Sequence, residues 1–205
     1  MLVPTPAGEA RITLHPATAE PRALLALGHG AGGGVEARDL RALAAVLPGH
    51  GVTVALVEQP WRVAGKKVAP APKTLDAGWL PVIAELAGQG LPLYLGGRSA
   101  GARVACRTAG ALGAAGVLAL AFPLHPPGRP ERSRAEELLA TGCRTLVLQG
   151  GRDAFGAPAE YPALPETHTL VEVPYGDHGF AVPKRAPVSQ EEALEVITGA
   201  VVDWL

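Results

Sequence analysis

The chain has 205 residues, 48% of them hydrophobic and 18% charged, a globular composition that excludes intrinsic disorder. With 18 Lys and Arg against 19 Asp and Glu, its formal net charge of −1 leaves no electrostatic case for nucleic acid or an anionic membrane. The length suits a single domain, 1–205, able to bury about 70% of the surface of the unfolded chain.

Met1-Leu2-Val3-Pro4-Thr5-Pro6 has neither the basic start nor the long apolar core of a signal peptide. No apolar stretch approaches the ~20 uninterrupted residues that span a bilayer. A cytoplasmic chain is therefore expected. Ala10 to Leu14 predicts an antiparallel edge strand. Arg22 to Leu27 is a continuous apolar strand ending at Gly28, and Arg38 to Leu47 places Leu40, Leu43, Ala44 and Leu47 at helical spacing before Pro48-Gly49. Val52 to Val57 is the next strand. A proline-rich loop from Glu58 to Thr74 leads into a helix from Leu75 to Gly88. The alternation continues through strands at Leu91–Leu95, Gly116–Phe122, Arg144–Leu148 and His168–Val173. Between and after them come helices at Ser99–Ala109, Arg132–Leu139 and Gln190–Leu205, the last with Leu194, Ile197, Val201 and Leu205 inward.

Apolar runs without polar alternation mean strands covered on both faces, which is the signature of a parallel sheet. The expected fold is a three-layer α/β architecture, a doubly wound and mostly parallel sheet with helices on both faces and no cap domain. Sites in such sheets form at the carboxyl ends of the strands. The loops there carry the reactive residues.

Gly97-Arg98-Ser99-Ala100-Gly101 follows a strand and opens a helix. Glycines on either side of a serine let neighbouring backbone approach closely, so the hydroxyl stands exposed beside a helix N-terminus. The first free N–H groups of that helix can stabilise an oxyanion. Among six histidines, His178 lies in a Gly-bounded turn just past the last strand, where it can lean toward Ser99. His50 precedes a strand and His168 opens one, both at the opposite edge, and His15 lies in an N-terminal turn. Asp153, beyond the strand before that of His178, is the favoured carboxylate to orient the imidazole. Asp177, its alternative, is adjacent in sequence and better placed to cap its own turn. The order Ser99, Asp153, His178 is that of a hydrolase triad.

Gly28-His29-Gly30-Ala31-Gly32-Gly33-Gly34 has two readings. Its spacing matches a dinucleotide-binding Gly-x-Gly-x-x-Gly, but the acid for the ribose, Glu58, lies further along than the ~20 residues expected. The preferred reading is a main-chain oxyanion loop whose N–H groups converge with that of Ala100, braced by His29. Arg98 either holds a substrate anion or pairs with nearby structure. His125 either contacts substrate or braces its proline-rich loop. Trp61 and Phe155 are candidate pocket walls, and His29 joins these candidate substrate contacts. Cys106 and Cys143 lack metal-ligand spacing, and Cys106 reads as a buried thiol. Neither a metal nor a cofactor is expected.

These segments, with Phe122-Pro123-Leu124-His125-Pro126-Pro127-Gly128 and Glu58-Gln59-Pro60-Trp61-Arg62, resemble the α/β hydrolases from about Leu24 to the last helix. The chain is most similar to the small lidless group related to dienelactone hydrolases. That group includes the hydrolase-like domain of a histone-acetyltransferase-complex subunit and its testis-expressed relative. The resemblance implies Ser99 as nucleophile, Asp153 as acid, His178 as base, and Ala31 with Ala100 as oxyanion donors. Dienelactone hydrolases proper use cysteine where Ser99 stands, so their substrate does not carry over. Gly179 also replaces an expected serine. The expected function is hydrolysis of a small ester or other acyl substrate through an acyl-enzyme, with transfer to an acceptor other than water left open. The alternatives are a catalytically idle interaction module and a dinucleotide-binding protein.

Overall fold

The computed structural model describes residues 1–88 and 90–205. Its strands are β1 (Leu2–Thr5), β2 (Gly8–His15), β3 (Ala23–Gly28), β4 (Val52–Glu58), β5 (Leu93–Arg98), β6 (Gly116–Leu120), β7 (Thr145–Gly150) and β8 (His168–Val173). They form one eight-stranded sheet in the order β1-β2-β4-β3-β5-β6-β7-β8. Pairings from β4 through β8 are parallel, whereas β2 runs antiparallel to both β1 and β4.

The apolar runs are buried on both faces because helices cover both. Helices α3 (Pro72–Ala87), α4 (Ala100–Thr108) and α5 (Ala135–Leu139) lie on one side, where Trp79, Ile83, Val104 and Leu138 meet Leu24, Ala26, Leu95 and Val117. On the other, Leu40 and Leu43 of α1 (Arg38–Val46) and Ile197 and Val201 of α6 (Gln190–Trp204) meet Leu25, Leu27, Leu118 and Leu148. Neighbouring residues of β3 thus feed opposite cores, as the two-residue period of a strand requires. Truncating one of these fully buried leucines to alanine removes about 2–5 kcal/mol of stability. Ser189 and Glu192 start α6 with reciprocal bonds, the hydroxyl accepting from the Glu192 N–H at 3.1 Å and the carboxylate from the Ser189 N–H at 2.6 Å.

Two expectations are corrected. The strand around Ala10–Leu14 is antiparallel but not the edge, which β1 occupies. β1 contains Pro4, which is tolerated because an edge strand can spare an N–H on its solvent side. The segment 58–74 is also less irregular than expected: α2 (Pro60–Val63) lies within it, and α3 begins at Pro72. Proline at the first position of each helix gives up an N–H that has no partner there.

No separate cap domain interrupts the alternation among the described residues. No helix among them is long and apolar enough to cross a membrane.

Candidate active site

Register brings the site together. Gly28, the last residue of β3, pairs with Gly97 of β5, so the loop after β3 lies against the turn after β5. A Cβ on Gly97 would stand 2.4 Å from the Gly28 carbonyl oxygen, and one on Gly101 would stand 2.4 Å from the same atom. No side chain fits either place. Between them Ser99 adopts φ 53° and ψ −112°, a region costly for any residue with a Cβ. Its N–H donates to the Leu120 carbonyl at 2.9 Å, which anchors the turn to β6.

The strain faces Ser99 Oγ toward His178, whose Nε2 is 2.9 Å away. His178 Nδ1 lies 2.8 Å from Asp153 Oδ2. A carboxylate beside Nδ1 makes that nitrogen the protonated one, which leaves the Nε2 lone pair for the serine hydroxyl. Asp153 is 0% exposed at its side chain and His178 is 23% exposed. Three further contacts hold the pair. Phe155 stacks on the imidazole with ring centroids 4.1 Å apart, its N–H donates to Asp153 Oδ1 at 2.8 Å, and Arg98 Nη2 donates to the His178 carbonyl. Gly150 and Gly176 approach so closely that a Cβ on Gly150 would be 2.5 Å from the Gly176 oxygen, which seats the Asp153 and His178 loops side by side.

Behind Asp153 lies a buried layer that sequence reading missed. Gln149 Nε2 donates to Asp153 Oδ2 at 2.9 Å and to the Gly156 carbonyl at 2.7 Å. With both amide hydrogens engaged, its Oε1 accepts from the Tyr161 hydroxyl at 2.8 Å. Burial, and then the charge of Asp153, pushes the Tyr161 phenol above its ordinary range, so it stays a donor. The available signal was Gln149 at the end of β7, four residues before Asp153. Nothing in the sequence pointed to Tyr161.

An open cleft of about 500 Å³ contains Ser99 and His178 and is walled by Gly30, Ala31, Ala100 and Phe155. Ala100 is the first residue of α4, so its N–H has no acceptor within the helix. Ala31 stands across the cleft in the exposed part of the glycine loop. This arrangement can move a proton from a hydroxyl to an imidazole and present main-chain N–H groups to a developing negative charge.

Other named residues fall elsewhere. Arg98 lines the cleft but pairs at 3.2 Å with the buried Asp39 of α1, which holds the turn to that helix. Burial raises the Asp39 carboxyl pKa, and the Arg98 charge opposes the rise. His125 does not line the cleft; its ring bridges the Pro126 carbonyl at 2.9 Å and Glu160 at 3.0 Å. His29 and Trp61 are also off the cleft, since both line a small cavity behind the Gly28–Gly34 loop. His29 Nε2 accepts from the Gln59 N–H at 3.0 Å, so its Nδ1 carries the hydrogen given to the Gly30 carbonyl at 2.9 Å. Asp177 caps its own turn, accepting from the Gly179 and Ala181 N–H groups. His168 bonds the Leu138 carbonyl at the opposite end of the sheet. Cys106 is buried, and burial raises its thiol pKa far out of reactive range.

The dinucleotide reading meets two obstacles. The glycine run ends before α1 begins at Arg38, so it does not form a helix N-terminus. Glu58 is ion-paired with Arg11 of β2 at 2.7 Å.

A comparison with curated proteins finds no match. Among solved structures, the chain is similar to an α/β serine hydrolase homologue from Coxiella burnetii, with TM-score 0.79, 16% identity, and 100% of this chain and 96% of that one covered. It is also similar to an α/β serine hydrolase without a lid from Xanthomonas campestris, with TM-score 0.77, 21% identity, and 100% and 94% covered. A dienelactone hydrolase from Anabaena variabilis follows with TM-score 0.73 and 19% identity over 100% and 94%. At these identities the likeness is one of fold. Residues 21–205 match the family described as the alpha/beta hydrolase domain. The chain belongs to that family.

Proposed function

We propose that this protein is a serine hydrolase acting on a small ester or other acyl compound through an acyl-enzyme, in the lidless group related to dienelactone hydrolases. Within that group we place it beside the hydrolase-like domain of the histone-acetyltransferase-complex subunit. The observation that carries the reading is one histidine with a serine hydroxyl at 2.9 Å on one nitrogen and a buried carboxylate at 2.8 Å on the other. Support comes from the backbone of Ser99, whose φ of 53° with ψ of −112° is costly for a residue with a Cβ.

In the first step Ser99 Oγ adds to the acyl carbonyl carbon as His178 Nε2 takes its proton. Asp153 holds the imidazolium through Nδ1–H, and the Ala31 and Ala100 N–H groups receive the oxyanion. Collapse of the adduct breaks the bond to the alcohol, which leaves with the proton from His178. Water then adds to the acyl-enzyme by the same route, giving the acid and restoring Ser99. Every proton moves between side chains, substrate and water. An uncapped site favours small acyl groups and small-molecule partners.

The test pairs turnover with labelling. Wild-type protein should hydrolyse 4-nitrophenyl acetate and form a fluorophosphonate adduct on Ser99, and Ser99→Ala should lose both. Equal hydrolysis by Ser99→Ala would overturn the assignment. An unlabelled, inactive wild type would favour an interaction module.

A further inference from the structure

The cleft has a basic wall. Arg98, Arg103 and Arg134 line it, and no carboxylate does. Two of the three are neutralised from behind. Arg98 faces Asp39, and Arg103 grips both oxygens of Glu137 at 2.8 and 2.6 Å. Glu137 is also shared with Arg107 at 3.2 Å, and Arg107 in turn chelates Asp76 at 3.1 and 2.6 Å. In this cluster three guanidiniums, on Arg103, Arg107 and Arg134, therefore answer to two carboxylates, Asp76 and Glu137.

Arg134 is the one left over. Among the described residues its side chain donates to the Pro123 carbonyl at 3.1 Å and forms no ion pair. Its own N–H donates to the Leu124 carbonyl at 2.7 Å, so two bonds fix it over the loop that follows β6, the strand beside Ser99. The residue is half-buried. Partial burial, and then the charge of Arg103, lowers its proton affinity, with Glu137 opposing. A guanidinium stays charged regardless, so Arg134 presents an uncompensated positive charge to the cleft. Its planar fork matches a carboxylate, with two parallel N–H···O bonds.

We propose that Arg134 receives a carboxylate carried by the substrate, so that the site takes anionic acyl esters in preference to neutral ones. Turnover of such esters rests on the Ser99 reading above; binding of the carboxylate does not.

The experiment compares mono(4-nitrophenyl) glutarate with 4-nitrophenyl pentanoate, which have equal acyl length and differ in the terminal charge. Wild type should favour the anionic ester in kcat/KM, and Arg134→Gln should reduce that ratio by about tenfold or more, as expected for loss of a charge-assisted hydrogen bond. Arg134→Lys should restore part of it. Free glutarate should bind wild type in calorimetry and bind Arg134→Gln at least about tenfold more weakly. An unchanged ratio in Arg134→Gln, or glutarate binding indifferent to the substitution, would overturn the proposal. If neither ester is turned over faster than by Ser99→Ala, the hydrolase reading fails while glutarate binding still decides the role of Arg134.

Discussion

Two loops at the same end of the sheet each bring a histidine close to the Ser99 turn, and their fates differ. The loop after β3 carries His29, which is buried and has both ring nitrogens committed to main chain, one to the Gly30 carbonyl and one to the Gln59 N–H. The loop after β8 carries His178, which is part-exposed and set between a carboxylate and a hydroxyl. Proximity to a serine does not make a base. An imidazole needs one nitrogen free toward the proton it will take and a charge behind the other to hold the cation that results. His29 lacks both. Its ring instead ties the glycine loop to the start of α2 and fixes the backbone at Gly30.

The sharpest way to break this contrast is to remove each ring. His178→Ala should lower kcat for 4-nitrophenyl acetate by about 10⁴- to 10⁶-fold, because serine and histidine of such a relay act as one unit. His29→Ala should lower it by about tenfold through a looser glycine loop, with the pH dependence of kcat keeping its shape. If the two losses were equal, the assignment of roles would be wrong.

Stability should separate them next. His29→Ala deletes two buried hydrogen bonds and leaves the Gln59 N–H without a partner, a loss of about 1–3 kcal/mol, readable by denaturant melts. Its pH linkage has a definite sign. Burial holds the His29 pKa below 6.5, opposed by the hydrogen bond to Gly30, so the unfolded chain takes up a proton that the native protein refuses. The His29 contribution is thus fully present above about pH 6.5 and declines as pH falls below it. Melting temperatures of wild type and His29→Gln should therefore converge as pH is lowered from 8 to 5; parallel curves would refute the linkage.

The smallest effect probes the glycine loop. A Cβ on Gly32 or Gly33 meets nothing within 4 Å, so Gly32→Ala and Gly33→Ala should shift stability by less than about 0.5 kcal/mol. By contrast, Gly97→Ala and Gly101→Ala should yield little folded protein, as judged by soluble yield and circular dichroism. The Cβ contacts of 2.4 Å are with main chain, which cannot rotate away.

Much of this was legible in the residues themselves. The continuous apolar runs at Leu24–Leu27, Val52–Val57 and Leu146–Leu148 announced strands covered on both faces, because burial on two sides admits no polar alternation. The Gly97-to-Gly101 turn was readable because tight packing demands an absent side chain, and absence is written in the sequence. Asp153 was preferred to Asp177 because adjacent side chains diverge, and Asp177 does cap its own turn. Strand β1 was hidden by Pro4, whose cost depends on whether the missing N–H would face a neighbour or solvent. Gln149 and Tyr161 were hidden for a related reason: the value of their hydrogen bonds depends on partners that only folding supplies.

The sequence alone determined the order of elements, the layered α/β class and the turns where glycine is obligatory, since each follows from local sterics or from the period of burial. Tertiary structure decided which arginine is neutralised and which is left with charge to spare. It also decided which histidine braces a loop and which stands before the serine. Those outcomes depend on distances between residues far apart in the chain, and Coulomb and hydrogen-bond energies change with distance in ways that no sequence interval records.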